Sequence, residues 1–332
     1  MKRQRTAPPL GDRSRVLRFT LEYDGTHFHG SQLQPNVRTV QGELERAIGN
    51  FTSEALRVVL ASRTDRGVHA LGQCALVRTR SLLPPAAFLR GLNTFLPDDL
   101  AVRSMNECPN PNWDPKTSAT GKHYRYCVIC GPDRPVLERH QAWYVKAAGI
   151  KDSQRVPDVA PGCLLPVLDV DRMRGAASCL VVGHPLDCTS FGNLDKGRPP
   201  DNPMCHISSL VIAVVELPGN ASTCALTIDI AADRFVYKMV RNIVGTLIDI
   251  GLHGAVDEEG TGSASGEGRR SMAKILAARE RTSSAQGAPA VGLRLVEVFY
   301  PPEHFSAGTG IATKAPPSMA GAACPSADDN DA

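Results

Sequence analysis

Three short stretches of this chain carry side chains able to do chemistry. The first is Arg63-Thr64-Asp65, followed by Gly67 and His69. A carboxylate just past a buried-looking strand, at the mouth of a glycine-containing loop, is presented to whatever enters there. If the segment stays extended, Arg63 and Asp65 point to the same side, and a nearby guanidinium keeps a carboxylate ionised and nucleophilic. The second is His123-Tyr124-Arg125-Tyr126, where strand alternation puts both tyrosines on one face and Arg125 on the other. A tyrosine ring at a cleft can stack on a base, and an arginine can reach a phosphate. The third runs from Phe235 to Gly251, with Phe235, Val236, Met239, Val240, Ile243, Val244 and Leu247 as a helical apolar stripe. At about 100° per residue Arg241 falls nearly opposite the centre of that stripe, on the side of Tyr237 and Lys238. Each stretch also has a plainer reading. They are, in order, a surface Arg–Asp pair, tyrosines packed under a helix, and an exposed arginine on an amphipathic helix.

Periodicity predicts the frame around these residues. From Val16 to Glu22, Leu17, Phe19 and Leu21 alternate with Arg18, Thr20 and Glu22, the pattern of a half-buried strand. Thr39 is a candidate N-cap for a helix carrying Val40, Leu44, Ala47, Ile48 and Phe51 inward. Leu56 to Ala61 and Gln73 to Arg78 read as strands flanking the loop SRTDRGVHALG. A helix after Pro84 and Pro85 and a strand from Ala101 to Met105 follow. The second half reads as strand His123 to Ile129, helix Val170 to Val181, strands Ile207 to Glu216 and Ala225 to Ala231, helix Phe235 to Gly251, a short helix Met272 to Arg279 and strand Leu293 to Phe299. Both halves mix strands and helices in a similar order, which predicts two related α+β lobes, 16–115 and 116–301, sharing a sheet. Residues 1–15 read as a disordered basic arm and 302–332 as a disordered tail. Insertions fall at 147–161 and 254–270, the second a low-complexity run with no apolar face to bury.

Composition narrows the function classes. A chain of 332 residues, 42% hydrophobic, can bury a core without disulfide staples. No run of about 18 apolar residues occurs, so a membrane span is not expected. The start MKRQR is basic and lacks an apolar h-region, which points to an intracellular protein of unresolved compartment whose ten cysteines are reduced. The net charge of +3 is uneven: past Pro301, Lys314 faces Glu303, Asp328, Asp329 and Asp331, so the body is more basic than the whole. A basic body suits a polyanion, though ordinary solvated charge gives the same balance. Cys127 and Cys130 stand alone as C-x-x-C, and Cys205-His206 has no companion, so no metal site is expected.

Taken together, these segments resemble the TruA family of tRNA pseudouridine synthases. YDGTHFHGSQ is similar to its first block and SRTDRGVHALGQ to the block holding its nucleophilic aspartate. LNTFLPDDLAV, the TSF at Thr189 to Phe191, FVYKMVRNIVG and GLRLVEV follow in family order, from about Arg18 to Tyr300. The resemblance implies an α+β pseudouridine synthase fold of two lobes. A central, mainly antiparallel sheet would carry flanking helices, with an RNA cleft between the lobes. It implies isomerisation of uridine to pseudouridine on the 3′ side of the tRNA anticodon stem-loop, with no cofactor and no metal, by a homodimer. By the same resemblance Asp65 is the nucleophile, Tyr124 contacts the target uracil, and Arg63 and Arg241 lie at the active site, with Arg241 paired to Asp65. Arg66, Arg18, Lys122 and Arg125 are expected phosphate contacts.

Three departures stand against that pattern. Gly30-Ser31-Gln32 replaces Gly-Trp-Gln, losing a large aromatic near the tRNA surface; Ser62 and Arg66 stand where Gly and Ala are usual; and both insertions are unmatched. Two rival functions fit the same residues. A non-catalytic tRNA-binding paralogue would have no need of Asp65. A sugar hydrolase would call for a second carboxyl at the bond, and none is evident near Asp65.

Overall fold

Alternation along β1 (Arg15–Tyr23) sorts its side chains as the pattern predicts: Leu17, Phe19 and Leu21 are fully buried, while Arg18, Thr20 and Glu22 are half-buried. The computed structural model describes residues 14–146, 168–193, 201–216, 223–253 and 271–302. Both insertions, nearly all of the basic arm and nearly all of the tail lie outside the described residues; Arg15, assigned to the arm, opens β1.

Thr39 caps α1 (Val40–Thr52) through the Gly42 N–H at 3.2 Å. The helix turns Val40, Leu44, Ala47 and Ile48 inward, while Phe51 meets Phe88 of α2 (Pro85–Asn93) edge-on. Four further strands follow in the first half and the start of the second: β2 (Val58–Leu60), β3 (His69–Thr79), β4 (Leu100–Cys108) and β5 (Gly121–Gly131). The chain continues through β6 (Trp143–Lys146), α3 (Val170–Ser178), the small hairpin β7 (Leu186–Asp187) and β8 (Met204–Cys205), β9 (Ile207–Glu216) and β10 (Cys224–Ala232). It closes with α4 (Met239–His253), α5 (Met272–Ala278) and β11 (Leu293–Phe299).

The nine-stranded sheet has the order β4-β1-β3-β11-β5-β10-β9, with β2 on β3 and β6 on β5. Pairing is antiparallel except where β11 meets β3 and where β6 meets β5. The last strand therefore lies at the centre. β11 pairs with β3 through Arg294↔His69 and Leu295↔Ala70, and with β5 along Leu293 to Phe299. Strands of the first half lie on one side of it and strands of the second half on the other.

Two boundaries differ from the sequence expectation by four residues, the others by three or fewer. β3 begins at His69, before the expected Gln73, because those residues already pair with β1 and β11. α4 begins at Met239 instead of Phe235, because Lys238 sits in the left-handed region at φ 63°. Its carbonyl accepts the Asn242 N–H, so the helix starts past it, and Phe235 is freed to pack against Tyr124.

Because β11 belongs to the ladders of both halves, they should unfold together. Leu295 is fully buried, and Leu295→Ala should cost about 2–5 kcal/mol. Fluorescence of Trp113, packed on Tyr300, and of Trp143, packed on Tyr126, reports on opposite sides of β11. Their urea transitions should coincide and shift together; separate midpoints in single-tryptophan variants would contradict a shared centre.

Candidate active site

The loop from Ala61 to Val68 is fixed through its backbone on both sides of Asp65 before it presents a side chain. Gln73 of β3 donates to the Ser62 carbonyl at 2.8 Å and accepts the Ser62 N–H at 3.1 Å. Ser31 donates its N–H to the Thr64 carbonyl at 3.0 Å, and its hydroxyl accepts the Thr64 N–H at 2.9 Å. The hydroxyls of Tyr23 and Thr64 meet at 2.9 Å. Gly67 takes φ 79° and donates to the Phe28 carbonyl at 3.3 Å, and Val68 closes a turn back onto the Asp65 carbonyl at 3.1 Å. Gly30, at φ 90°, has no room for a side chain: a Cβ would stand 2.8 Å from the Thr64 oxygen. Such a loop holds Asp65 still while leaving its side chain 30% exposed.

The carboxylate meets Arg241, from the first turn of α4, with Nη1 3.3 Å from Oδ2. Arg241 Nε donates to the Ala288 carbonyl at 2.7 Å, and the Ala288 N–H returns a bond to the Arg241 carbonyl at 2.9 Å. The segment 285–292 is thus a strap across α4, so close that a Cβ on Gly245 would lie 2.1 Å from the Gln286 oxygen. Arg281 secures the strap with bonds to Asn193 Oδ1, Asn242 Oδ1, Ser284 Oγ and the Ala285 carbonyl. Tyr126 donates to Pro289 at 2.7 Å from below. The helical-wheel reading of Arg241 as pointing away from the core is therefore refined. It points across to Asp65 with only 18% of its side chain exposed.

Tyr124 stands on the same side as the loop. It is 7% exposed, its ring lies edge-on to Phe235 at 5.1 Å, and its hydroxyl meets that of Ser62 at 3.0 Å. Burial pushes its phenol up to about 12, against a smaller lowering by the Ser62 hydroxyl, with the negative charge of Asp65 adding to the rise. Tyr124 is accordingly a phenol near neutral pH. Ser62 and Ser31, the two serines that depart from the family pattern, belong to one framework. The Ser31 hydroxyl donates to the Ser62 carbonyl at 3.4 Å, and Ser31 is wholly buried. Position 31 thus braces the loop from inside and is not a missing aromatic at the tRNA surface.

Of the other expected residues, Arg63 and Arg66 are exposed on either side of Asp65. Adjacency in sequence puts Arg63 beside the carboxylate, but among the described residues no ion pair engages it; the cation that meets Asp65 is Arg241, the partner implied by the family resemblance. Lys122, two residues before Tyr124 on its face, is half-buried. Its ammonium is held below the usual lysine range by burial first, then by Lys116 and Arg234. Arg125 points to the opposite face of the sheet, where Nε grips Asp229 at 2.9 and 3.1 Å beside His123. Arg18 is on that face too, with its guanidinium over the Trp113 ring. Neither is brought to Asp65, because strand alternation sends them away from Tyr124.

Gln73, Ser62, Ser31 and the strap 285–292 were not singled out as site residues. Their partners are backbone groups far away in sequence, which no spacing rule exposes. The one available signal was the Gly and Pro content of QGAPAVG. Cys127 is half-buried and Cys130 buried in β5, and burial raises both thiols. Among the described residues no group of three or more His, Cys, Asp or Glu is placed to hold a metal ion.

Comparison with known proteins agrees with this framework. Residues 20–116 and 187–301 match the sequence model of a family described as tRNA pseudouridine synthase. A tRNA pseudouridine synthase A of Cronobacter sakazakii is 36% identical over 282 residues, covering 85% of this chain and 88% of that protein. Its counterparts from Acetivibrio thermocellus and Geotalea uraniireducens are 32% and 31% identical, each covering 86% of this chain and the whole of the relative. The matched stretches include both the loop that presents Asp65 and the helix that supplies Arg241, and the chain belongs to the tRNA pseudouridine synthase family.

Proposed function

We propose that this chain isomerises uridine to pseudouridine in tRNA, with Asp65 as the attacking carboxylate. The supporting observation is a half-exposed carboxylate braced by a rigid loop and held against Arg241, with Tyr124 beside it. The reaction breaks the N1–C1′ bond, turns the freed uracil and joins C5 to C1′. C5 loses a proton and N1 gains one, so no electrons are exchanged with a second reactant. Attack of the carboxylate at C1′, attack at C6 and formation of a glycal are alternative routes through the same residue. Reaching these atoms requires the nucleotide to leave its stack, at a cost of a few kcal/mol that is least in a loop.

Arg241 aims the carboxylate and sets a positive charge beside it. Tyr124, a phenol at neutral pH, holds the loosened base by its ring face and donates a hydrogen bond. Removal of the C5 proton therefore does not wait on a phenolate. Arg63, Arg66 and Lys122 are the phosphate contacts on this side of the sheet, whereas Arg18 and Arg125 are left out of that set. The lobes 16–115 and 116–301 flank the tRNA cleft, and the chain acts as an intracellular homodimer on the 3′ side of the anticodon stem-loop. Among the described residues no helix is long and apolar enough to cross a membrane.

Release of tritium from tRNA labelled at uridine C5 tests the reaction. Wild type should release it with no metal or cofactor added, and kcat should stay flat from about pH 7.5 to 9.5. Asp65→Ala should release none while binding tRNA. A tenfold rise per pH unit would make the Tyr124 phenolate the base; tRNA binding without turnover by wild type would make the chain a non-catalytic binder.

Lys122→Met removes a cation that has like-charged neighbours and no hydrogen-bond partner among the described residues. Its tRNA affinity should fall several-fold, with the salt slope reduced by about one, while its melting temperature does not drop. Unchanged affinity and slope would remove Lys122 from the RNA contacts.

A further inference from the structure

His69 is 7% exposed and stands at the start of β3, one residue past the turn that closes behind Asp65. Its ring spans two segments that are far apart in sequence. Nδ1 accepts the Gly25 N–H at 3.1 Å, and Nε2 is 3.0 Å from the Val291 carbonyl. An amide can only donate and a carbonyl can only accept, so this arrangement needs the neutral ring with its proton on Nε2. A third group breaks the balance: Asp24 Oδ1 also lies 3.0 Å from Nδ1. In the neutral ring that contact sets a lone pair against a carboxylate oxygen. Protonation would turn it into an ion pair, but Nδ1 would then have nothing to offer the Gly25 N–H.

Both ends of the ring lead to the reacting pair. Gly25 lies flat on the catalytic loop, where a Cβ would stand 2.1 Å from the Val68 oxygen, and Val68 is the residue bonded back to Asp65. Val291 belongs to the strap whose Ala288 carbonyl holds Arg241, and a Cβ on Gly67 would stand 3.4 Å from Ala290 of that strap. We propose that His69 is a positioning residue with two exclusive states. As a neutral ring it keys Gly25 to Val291 and sets Asp65 against Arg241; as a cation it turns to Asp24 and releases Gly25.

The charges around the ring determine which state prevails. Burial is the largest influence and disfavours the cation; Asp24 favours it, and Arg294, the register partner of His69 on β11, opposes it. His140 adds positive charge near Asp24, whose carboxyl is kept below its usual range by its Thr26 and His69 contacts despite burial. The net effect lowers His69 below its ordinary value, so the neutral ring dominates at neutral pH. The associated stability is present above the ordinary histidine pKa and lost as pH falls through the folded value, because the unfolded chain takes up the proton first.

The test compares wild type, His69→Asn and His69→Leu by tritium release from about pH 5.5 to 8.5. It rests on the pseudouridine reading for its activity arm only. Wild type should show an acid limb below about pH 6.5 that both variants lack. At pH 8, His69→Leu should lose roughly tenfold in kcat with KM little changed, and His69→Asn, whose Oδ1 takes the place of Nδ1, should regain most of it. An acid limb that persists in His69→Asn, or a loss carried by KM, would overturn the proposal. Nitrogen NMR of the wild-type imidazole is independent of folding defects in the variants. It should find the Nε2–H tautomer at pH 8, and the Nδ1–H tautomer would refute the assignment. If wild type releases no tritium at any pH, the pseudouridine reading fails, and the tautomer measurement still decides this one.

Discussion

The contact between Asp65 and Arg241 joins residues 176 positions apart, and most of the architecture serves to make it. A carboxylate that must stay reactive cannot be buried, and one left in solvent has no fixed direction. Here the backbone of the loop is held while the carboxylate stays partly open, and the guanidinium is brought from the other half of the chain. A partly buried pair of this kind is poor evidence of stability, since desolvation offsets much of its attraction. Its use is to fix direction at the reacting group.

Two devices make the distant contact possible. β11 lies between β3 and β5, so the strand that opens just after the catalytic loop and the strand that carries Tyr124 are neighbours of one central element. The strap 285–292 enters β11 directly, and on the way it bonds Arg241, Tyr126 and His69. Helix start, strap and central strand thus form one unit. A shift in any of them moves Arg241 relative to Asp65.

Much of this was legible in the sequence, for identifiable reasons. The alternation in β1, the Thr39 cap and the bounds of β9 and β11 follow from local periodicity, which the fold did not override. The start of α4 is not legible from periodicity, because the apolar stripe continues through Phe235 and Val236 although Lys238 turns the backbone left-handed. At the site, Asp65, Tyr124 and Arg241 were visible through side-chain type and family pattern. Adjacency alone favours Arg63 as the neighbouring cation, because sequence distance is the only distance a sequence offers. The same blindness hid Gln73 and the strap. It also made Ser31 look like a surface loss, when it is an internal brace.

The most direct test of the account is a double-mutant cycle between Asp65 and Arg241, read as pseudouridine formation on unmodified tRNA transcripts. Pseudouridine is mapped by carbodiimide-dependent primer extension, and tRNA binding is measured alongside. If Arg241 acts through the carboxylate, Asp65→Asn should abolish the new stops, Arg241→Met and the milder Asp65→Glu should each weaken them, and the double variant of those two should be no worse than the weaker single one. Persistence of the stops in Asp65→Asn, or losses that multiply in the double variant, would contradict a site built on that contact.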